Sequence, residues 1–253
     1  IAVAGPVHRN TYCAPPYISW DIDLTATEVS TKLPRAFLIN DFVAQAYACR
    51  SPAAKSARII LDGQIDPVGT VGILGAGTGL GKAALVSGPG ETFLALASEG
   101  GHGYFPFLSQ PEFAFQRFYQ EKSGLAHITG NLVVSGGGLR YLHWFLSGEN
   151  LTAEEVVARL TPESETLAWA AKFYGRACRD YALEVLATGG LYVAGGVAAR
   201  TPALLTHAHF RNEFLDSPTM GPLLSGIPVF LLDDQDSGLW GAAFHGRQRL
   251  RSA

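Results

Sequence analysis

Residues 72–86 read GILGAGTGLGKAALV, with glycines at 72, 75, 77, 79 and 81. No other run restricts the fold as much. Glycine-rich turns let backbone amides approach a ligand closely, phosphate above all. Two well-known phosphate loops fail here by counting. A P-loop needs glycine, four residues, then Gly-Lys-Ser or Gly-Lys-Thr. Gly81-Lys82 is present, but the first glycine would fall at Ala76 and the magnesium-binding hydroxyl at Ala83. The dinucleotide fingerprint needs glycines at the first, third and sixth places. Counted from Gly75 the sixth is Leu80, and from Gly77 it is Lys82. What is left is a strand over 71–74, the turn GAGTGLG and a strand-like run over 83–86. The stretch predicts a glycine hairpin, either a plain tight turn or one whose amides serve a ligand.

Strand and helix signals alternate along the rest of the chain. Apolar runs at 1–4, 37–39, 93–97, 191–194 and 229–232 read as strands, the third following a Gly-Pro-Gly-Glu turn at 88–91. Asp41 reads as the cap of a helix with Phe42, Val43, Ala46 and Tyr47 on one side. Residues 113–122 read as a helix. Leu132 to Val134 is a short β-branched run, after which Ser135 and three glycines open a helix carrying Leu139, Leu142, Phe145 and Leu146. Thr152 and Glu155 have capping-box spacing. Thr161-Pro162 is predicted to start a longer helix, with proline at its first position. Its apolar stripe is Leu167, Ala171, Tyr174, Cys178, Tyr181 and Val185, and Gly189-Gly190 ends it. A second glycine turn stands at Gly195-Gly196, and Asp236-Ser237-Gly238 opens the final helix. This order predicts an α/β protein of mixed strand order, with changes of lobe near Ser51-Pro52 and near Asp236.

The bulk numbers exclude several classes. The 253 residues, 47% hydrophobic, suffice for one or two domains with a substantial core. A net charge of −3 and no basic stripe argue against nucleic acid. Cys13, Cys49 and Cys178 are widely spaced without a Cys-x-x-Cys pair, which opposes structural zinc and fits a reducing cytoplasm. No apolar run is long enough for a membrane span, and no basic-start signal peptide is seen. The chain opens inside a strand-like run, Ile1 to Ala4, and its only methionine is Met220. A longer parent protein is the expectation.

Three polar clusters stand near expected strand ends, where open α/β sheets place ligand groups. They are Asn40-Asp41, the stretch Ser98 to His102, and Asn131. Asn40-Asp41 alone reads equally well as a helix cap. Glu99 and His102 are harder to dismiss, because the two glycines between them let a carboxylate and an imidazole converge on one small cavity. The same Glu-x-x-His spacing suits two metal ligands on a helix face, but Gly100-Gly101 opposes a helix and no third ligand is apparent. No metal site is therefore predicted. His8, His127, His143, His207, His209 and His245 have no such spacing.

Six segments occur in one order: Ile39-Asn40-Asp41, GAGTGLG at 75–81, Glu-Gly-Gly-His at 99–102, SGGGL at 135–139, VAGG at 193–196 and SGLWGAA at 237–243. This ordered set resembles the bacterial glucokinase family of the actin and sugar-kinase superfamily, over nearly the whole chain. It is less similar to the repressor-type sugar kinases, whose cysteine-rich zinc motif it lacks. The resemblance implies a two-lobed, actin-like (ribonuclease H-like) α/β fold closing over a hexose and ATP with Mg2+, in a cytoplasmic homodimer. The small lobe would be residues 1–51, completed by 237–253, and the large lobe residues 52–236. Asp41 would be the general base that takes the proton of the sugar 6-hydroxyl, and Asn40, Glu99 and His102 would hydrogen-bond the sugar. Gly75, Gly77, Thr78 and Gly79 would form the second phosphate hairpin, with Thr78 and Gly79 near both the transferred phosphate and the sugar. Gly195 and Gly196 would border the adenosine. Lys82 receives no role. The chemistry agrees: an uncharged sugar needs several fixed donors and acceptors, and phosphoryl transfer needs positioning and charge stabilisation more than covalent help.

Two departures from the family pattern stand out. The first phosphate motif, Asp-x-Gly-Gly-Thr, is absent from the chain, so the small lobe is expected to be incomplete at its N-terminus. The glutamate that the family carries before its Val-x-Ser-Gly segment, a sugar contact, corresponds here to Asn131. Asparagine keeps an acceptor and loses the charge, so weaker glucose binding or a shifted sugar preference is expected. Besides phosphorylation of glucose, two readings remain open: a non-catalytic sugar-binding or regulatory protein, and a kinase for another hexose or an amino sugar.

Overall fold

The computed structural model describes every residue except Tyr17, Pro34, Ser252 and Ala253, and leaves the side chains of Glu28 and Glu91 aside. The last two residues of the 237–253 stretch thus lie outside the described residues. The strands are β1 (Ala2–Val3), β2 (Val7–His8), β3 (Tyr12–Cys13), β4 (Ile22–Asp23), β5 (Ile39–Asn40), β6 (Arg58–Leu61), β7 (Val71–Ala76), β8 (Leu80–Ser87), β9 (Phe93–Ser98), β10 (Leu191–Ala194) and β11 (Val229–Leu231). The helices are α1 (Thr27–Lys32), α2 (Asp41–Ala48), α3 (Gln110–Ser123), α4 (Gly130–Val133), α5 (Gly136–Ser147), α6 (Ala153–Arg159), α7 (Glu165–Glu184), α8 (Gly196–Arg200), α9 (Ala203–Thr206), α10 (Ala208–Leu215), α11 (Gly221–Gly226) and α12 (Ser237–Arg251).

The glycine-rich stretch is an antiparallel hairpin of β7 and β8. Its ladder runs further into the glycines than the apolar runs suggest, because ladder hydrogen bonds need backbone and not side chains. Gly75 lies opposite Gly81 and Ala76 opposite Leu80, leaving only Gly77, Thr78 and Gly79 in the turn. This hairpin supplies the fourth and fifth strands of a six-stranded mixed sheet of order β6-β11-β10-β7-β8-β9. The strands β11, β10 and β7 are mutually parallel, and the remaining pairs are antiparallel. Strand periodicity sorts the side chains onto two faces. Val71, Ile73, Ala83 and Leu85 meet α2 and α12 through Tyr47, Ala48 and Phe244. Leu74, Ala76 and Leu80 meet the larger core with Phe115 of α3, Phe173 and Tyr174 of α7 and Phe210 of α10. With helices on both faces, β7 is buried along its whole length.

The first fifty residues add two small sheets. β1 runs parallel to β5, and β2, β3 and β4 form an antiparallel meander over a cluster of Cys13, Leu24 and Leu38. α2 is joined by α12, where Tyr47 stacks on Phe244 at 6.2 Å and meets His245 at 4.8 Å. Side chains of these two helices also occupy the free edge of β9. Gln248 accepts from the Phe93 N–H at 2.8 Å and donates to its carbonyl at 2.7 Å, and the Tyr47 hydroxyl accepts from Ala95 N–H at 3.3 Å.

Three local expectations need correcting. The cap of α2 is Asn40, not Asp41: Asn40 Oδ1 accepts from the N–H groups of Phe42 at 2.9 Å and Val43 at 3.2 Å, and Asp41 is the first helical residue. α7 runs from Glu165 to Glu184 and ends at Val185, before Gly189-Gly190; Ser164 precedes it because Thr161 to Ser164 close a turn of their own through Ser164 N–H and Thr161 C=O. Residues 130–133 make one helical turn rather than an extended run, and Asn131 rides on it. The capping box of α6 and the buried stripe Leu167, Ala171, Tyr174, Cys178 and Tyr181 of α7 stand as expected.

α7 also buries a charge. Arg176 is 1% exposed and is held by Glu213 of α10 at 2.6 Å, by Glu112 of α3 at 2.6 Å and by the Pro106 carbonyl at 2.6 Å. Burial pushes the Glu112 carboxyl up, but the hydrogen bonds from Arg176, Lys172 and Leu108 outweigh it and bring it to about 2. Among the described residues no helix is long and apolar enough to cross a membrane. All three cysteines are buried and free.

Candidate active site

The site is built around the step from β5 into α2. Asn40 ends the strand, caps the helix with Oδ1, and donates from Nδ2 to the Gly5 carbonyl at 3.1 Å. One amide side chain thus fixes the loop after β1 and the start of α2. Asp41 follows, with its Oδ1 accepting from the Phe42 N–H at 2.9 Å. Burial raises its carboxyl above the ordinary aspartate range, while the Phe42 N–H and Asn40 draw it partly back. A carboxylate so held is a better proton acceptor than a solvated one.

Phe42 explains two of the hairpin glycines. A side chain on Gly81 would overlap the Phe42 ring, and one on Gly75 would stand 3.0 Å from its Cζ. The ring therefore lies across the glycine pair, and Asp41 is registered against the hairpin by its own neighbour. Gly75 is further closed in by the Ala194 carbonyl, 2.6 Å from where its Cβ would be. Gly195, at φ +89°, places its missing Cβ 2.5 Å from the Ala76 carbonyl. These two glycines join β7, α2 and the turn after β10.

Two clefts flank this arrangement. The smaller, about 320 Å³, is lined by Asn40 and Glu99 with Asn10, Val43, Ala97 and Ser98 among its other walls. Glu99 and His102 are brought together by a single 3-10 turn over Gly100–His102, with Oε2 and Nε2 3.8 Å apart. Their side chains are 54% and 71% exposed, and His102 stands outside the lining. The larger cleft, about 670 Å³, unites Gly77 and Thr78 of the hairpin with Gly196 of α8. Asn131 is in the lining of neither cleft, and its Oδ1 accepts from the Leu80 N–H at 2.6 Å. Among the described residues no group of three or more His, Cys, Asp or Glu side chains could hold a metal ion.

The larger cleft has walls that sequence reasoning missed. Gly136 and Gly137 open α5 there, and Leu139, Ala153, Val157 and Val197 supply an apolar floor beside Arg200 and Thr201. The Ser135 hydroxyl caps α5 by accepting from the Gly138 N–H at 3.1 Å. The amide end of a twelve-residue helix thus opens onto Thr78, a setting that favours anions. The glycine run at 136–138 was the available signal. Nothing in spacing marks Arg200 or Thr201, which arrive through the α8 connection.

The likeness to known proteins agrees with this layout. A sequence model of the family described as Glucokinase matches residues 1–249. The chain is 29% identical to a glucokinase of Nostoc punctiforme over 96% of this chain and 80% of that protein. It is 31% identical to a glucokinase of Chromobacterium violaceum over 97% of this chain and 72% of that protein. The crystal structure of a glucokinase from an Antarctic psychrotroph superposes with a TM-score of 0.81 at 26% identity, covering 96% of this chain and 78% of that one. With the match extending over both clefts and every element between them, the chain belongs to the glucokinase family.

Proposed function

We propose that this chain transfers the γ-phosphoryl group of ATP to the 6-hydroxyl of glucose, giving glucose 6-phosphate and ADP. The observation that carries the reading is Asp41: a half-buried carboxylate with a raised pKa, next in the chain to Asn40, which lines the smaller cleft, and to Phe42, whose ring lies on the hairpin glycines. Glucose would sit in the smaller cleft, with Asn40, Glu99 and His102 meeting its hydroxyls. Asp41 accepts the 6-hydroxyl proton as that oxygen attacks phosphorus in line, and the bond to the ADP oxygen breaks. Residues 1–51 and 237–253 act as the small lobe and 52–236 as the large lobe, in a cytoplasmic homodimer. The three buried free thiols accord with a reducing compartment.

The larger cleft suits a nucleotide. A Cβ on Gly77 or Gly196 would meet nothing within 4 Å, so their backbones border open cleft space. The buried Thr201 hydroxyl has no partner among the described residues, although the residue lines this cleft. Gly77, Thr78 and Gly79 would face the phosphates and Gly196 the adenosine. Mg2+ would supply charge neutralisation on the nucleotide and would be held mainly by it, since no cluster of ligating side chains among the described residues would hold the ion by itself.

Asp41→Asn tests the reading. Turnover of glucose with Mg–ATP should fall by at least about a hundredfold, the lower end of general-base contributions. Glucose binding measured by calorimetry should survive. A variant with near-normal turnover would remove Asp41 from the reaction. A wild-type chain that binds glucose without turnover would favour the sugar-binding protein.

A further inference from the structure

Asn131 sits beside Leu80, Gly79 and Gly101. It is the second residue of the helical turn α4, between the phosphate hairpin and the Glu99–His102 loop. A backbone N–H can only be met by the amide oxygen, so the 2.6 Å bond from Leu80 fixes the orientation of the side chain. That oxygen is also crowded. It lies 3.1 Å from where a Gly79 Cβ would be, and a side chain on Gly101 would overlap both it and the Leu80 carbonyl. Leu80, Asn131 and Gly101 therefore touch, with one residue taken from each of three segments.

The segment around Asn131 is stitched to both loops. Gly130 N–H donates to the Gly103 carbonyl at 3.0 Å and Phe105 N–H to the Ile128 carbonyl at 3.1 Å, on the sugar side. Gly136 N–H donates to the Gly77 carbonyl at 3.1 Å, on the phosphate side. These links are backbone to backbone. The Asn131 link uses a side chain and can be removed by substitution.

We infer that Asn131 is a positioning residue that locks the 77–80 hairpin to the 99–103 loop, holding the sugar and the phosphoryl donor in one register. The role rests on the kinase reading above. It is separate from a sugar contact, because the bond to Leu80 holds the hairpin whether or not the remaining lone pair and the Nδ2 donors meet the sugar. Phosphoryl transfer makes such a lock matter: a displacement near 1 Å between reacting groups can cost about a hundredfold in rate.

Asn131→Ala and Asn131→Leu remove the acceptor, and Asn131→Asp keeps it. In the ligand-free protein the Leu80 amide should exchange its hydrogen about three- to tenfold faster in the first two variants and at the wild-type rate in the third. Their kcat should fall roughly ten- to a hundredfold, by the same factor with glucose, 1-deoxyglucose and 2-deoxyglucose. Asn131→Asp should stay within about threefold of wild type. Binding of a non-hydrolysable ATP analogue should be strengthened by glucose in the wild type and in Asn131→Asp, and lose that help in the other two. Unchanged Leu80 exchange in Asn131→Ala overturns the lock whatever the activity. A loss that disappears with one deoxy sugar makes Asn131 a sugar ligand instead, and faster exchange with full kcat refutes the positioning role. A wild type without turnover refutes the kinase reading and the catalytic half of the proposal, while Leu80 exchange still decides the lock.

Discussion

Gly81 lacks a side chain because Phe42 occupies the place where one would go. Replacing it with alanine forces the ring, and with it Asp41, out of register. Gly81→Ala should lose about 1–3 kcal/mol of stability, as overpacked sites do, and at least about tenfold in kcat. Thermal melts and steady-state rates measure both. Gly246→Ala in α12, where a Cβ meets nothing, is the control and should leave kcat unchanged. Equal rates in both variants would show that Phe42 does not register the base. The sequence alone reads the glycines as one turn, whereas the structure divides them: Gly75 and Gly81 admit a ring, Gly77 borders a cleft and Gly79 faces Asn131. That division depends on partners distant along the chain, so no count within the stretch could find it. Asn40 and Asp41 posed the same difficulty on a smaller scale. Both are capping residue types, and only backbone geometry shows which one caps and which is left for chemistry.

Among the elements, α7 shows what periodicity can and cannot say. Its apolar stripe was legible because helix spacing is local. Its start was misplaced because Pro162 and Ser164 offer competing start signals, and the serine stands next to the helix. Arg176 was not legible at all: its partners come from α3 and α10, and no sequence spacing connects the three. The network has a pH signature. Folded Glu112 titrates at about 2 and the unfolded residue near 4.5, so its contribution is complete above about pH 4.5 and is lost as the pH falls towards 2. Urea midpoints should therefore drop between pH 5 and pH 3, and Glu112→Gln should flatten that drop. Arg176→Met should cost about 3 kcal/mol at neutral pH, the lower end for a broken buried pair, because Glu112 keeps Lys172 and the Leu108 N–H and Glu213 keeps only the longer Arg179 contact at 3.4 Å. Matching urea curves for Arg176→Met and wild type would mean the network is neutral.

For the whole molecule, the order of six motifs carried the family and the α/β class, since each motif is local and their order survives in the chain. Spacing alone could not bring the cleft walls together, because they come from segments far apart; the resemblance paired residue 40 with 99 and residue 77 with 196 but gave no place to residue 136. The buried thiols report on the stability of the whole. Burial raises Cys49 and Cys178, so neither forms the reactive thiolate while the fold is closed. A thiol reagent should label the native chain only through unfolding, and glucose at about a hundred times its Kd should slow that labelling about a hundredfold. Labelling at an unchanged rate would mean that the thiols open locally, apart from the sugar cleft. The outer side of β9 has a different consequence. Gln248 answers both polar groups of Phe93, and Tyr47 answers Ala95. Where Phe93 and Ala95 are already answered, the start of β9 offers a poorer template for a stranger's strand to copy. Two copies that collide along that half of the border find fewer free groups with which to continue a ladder, which weakens one route to fibres.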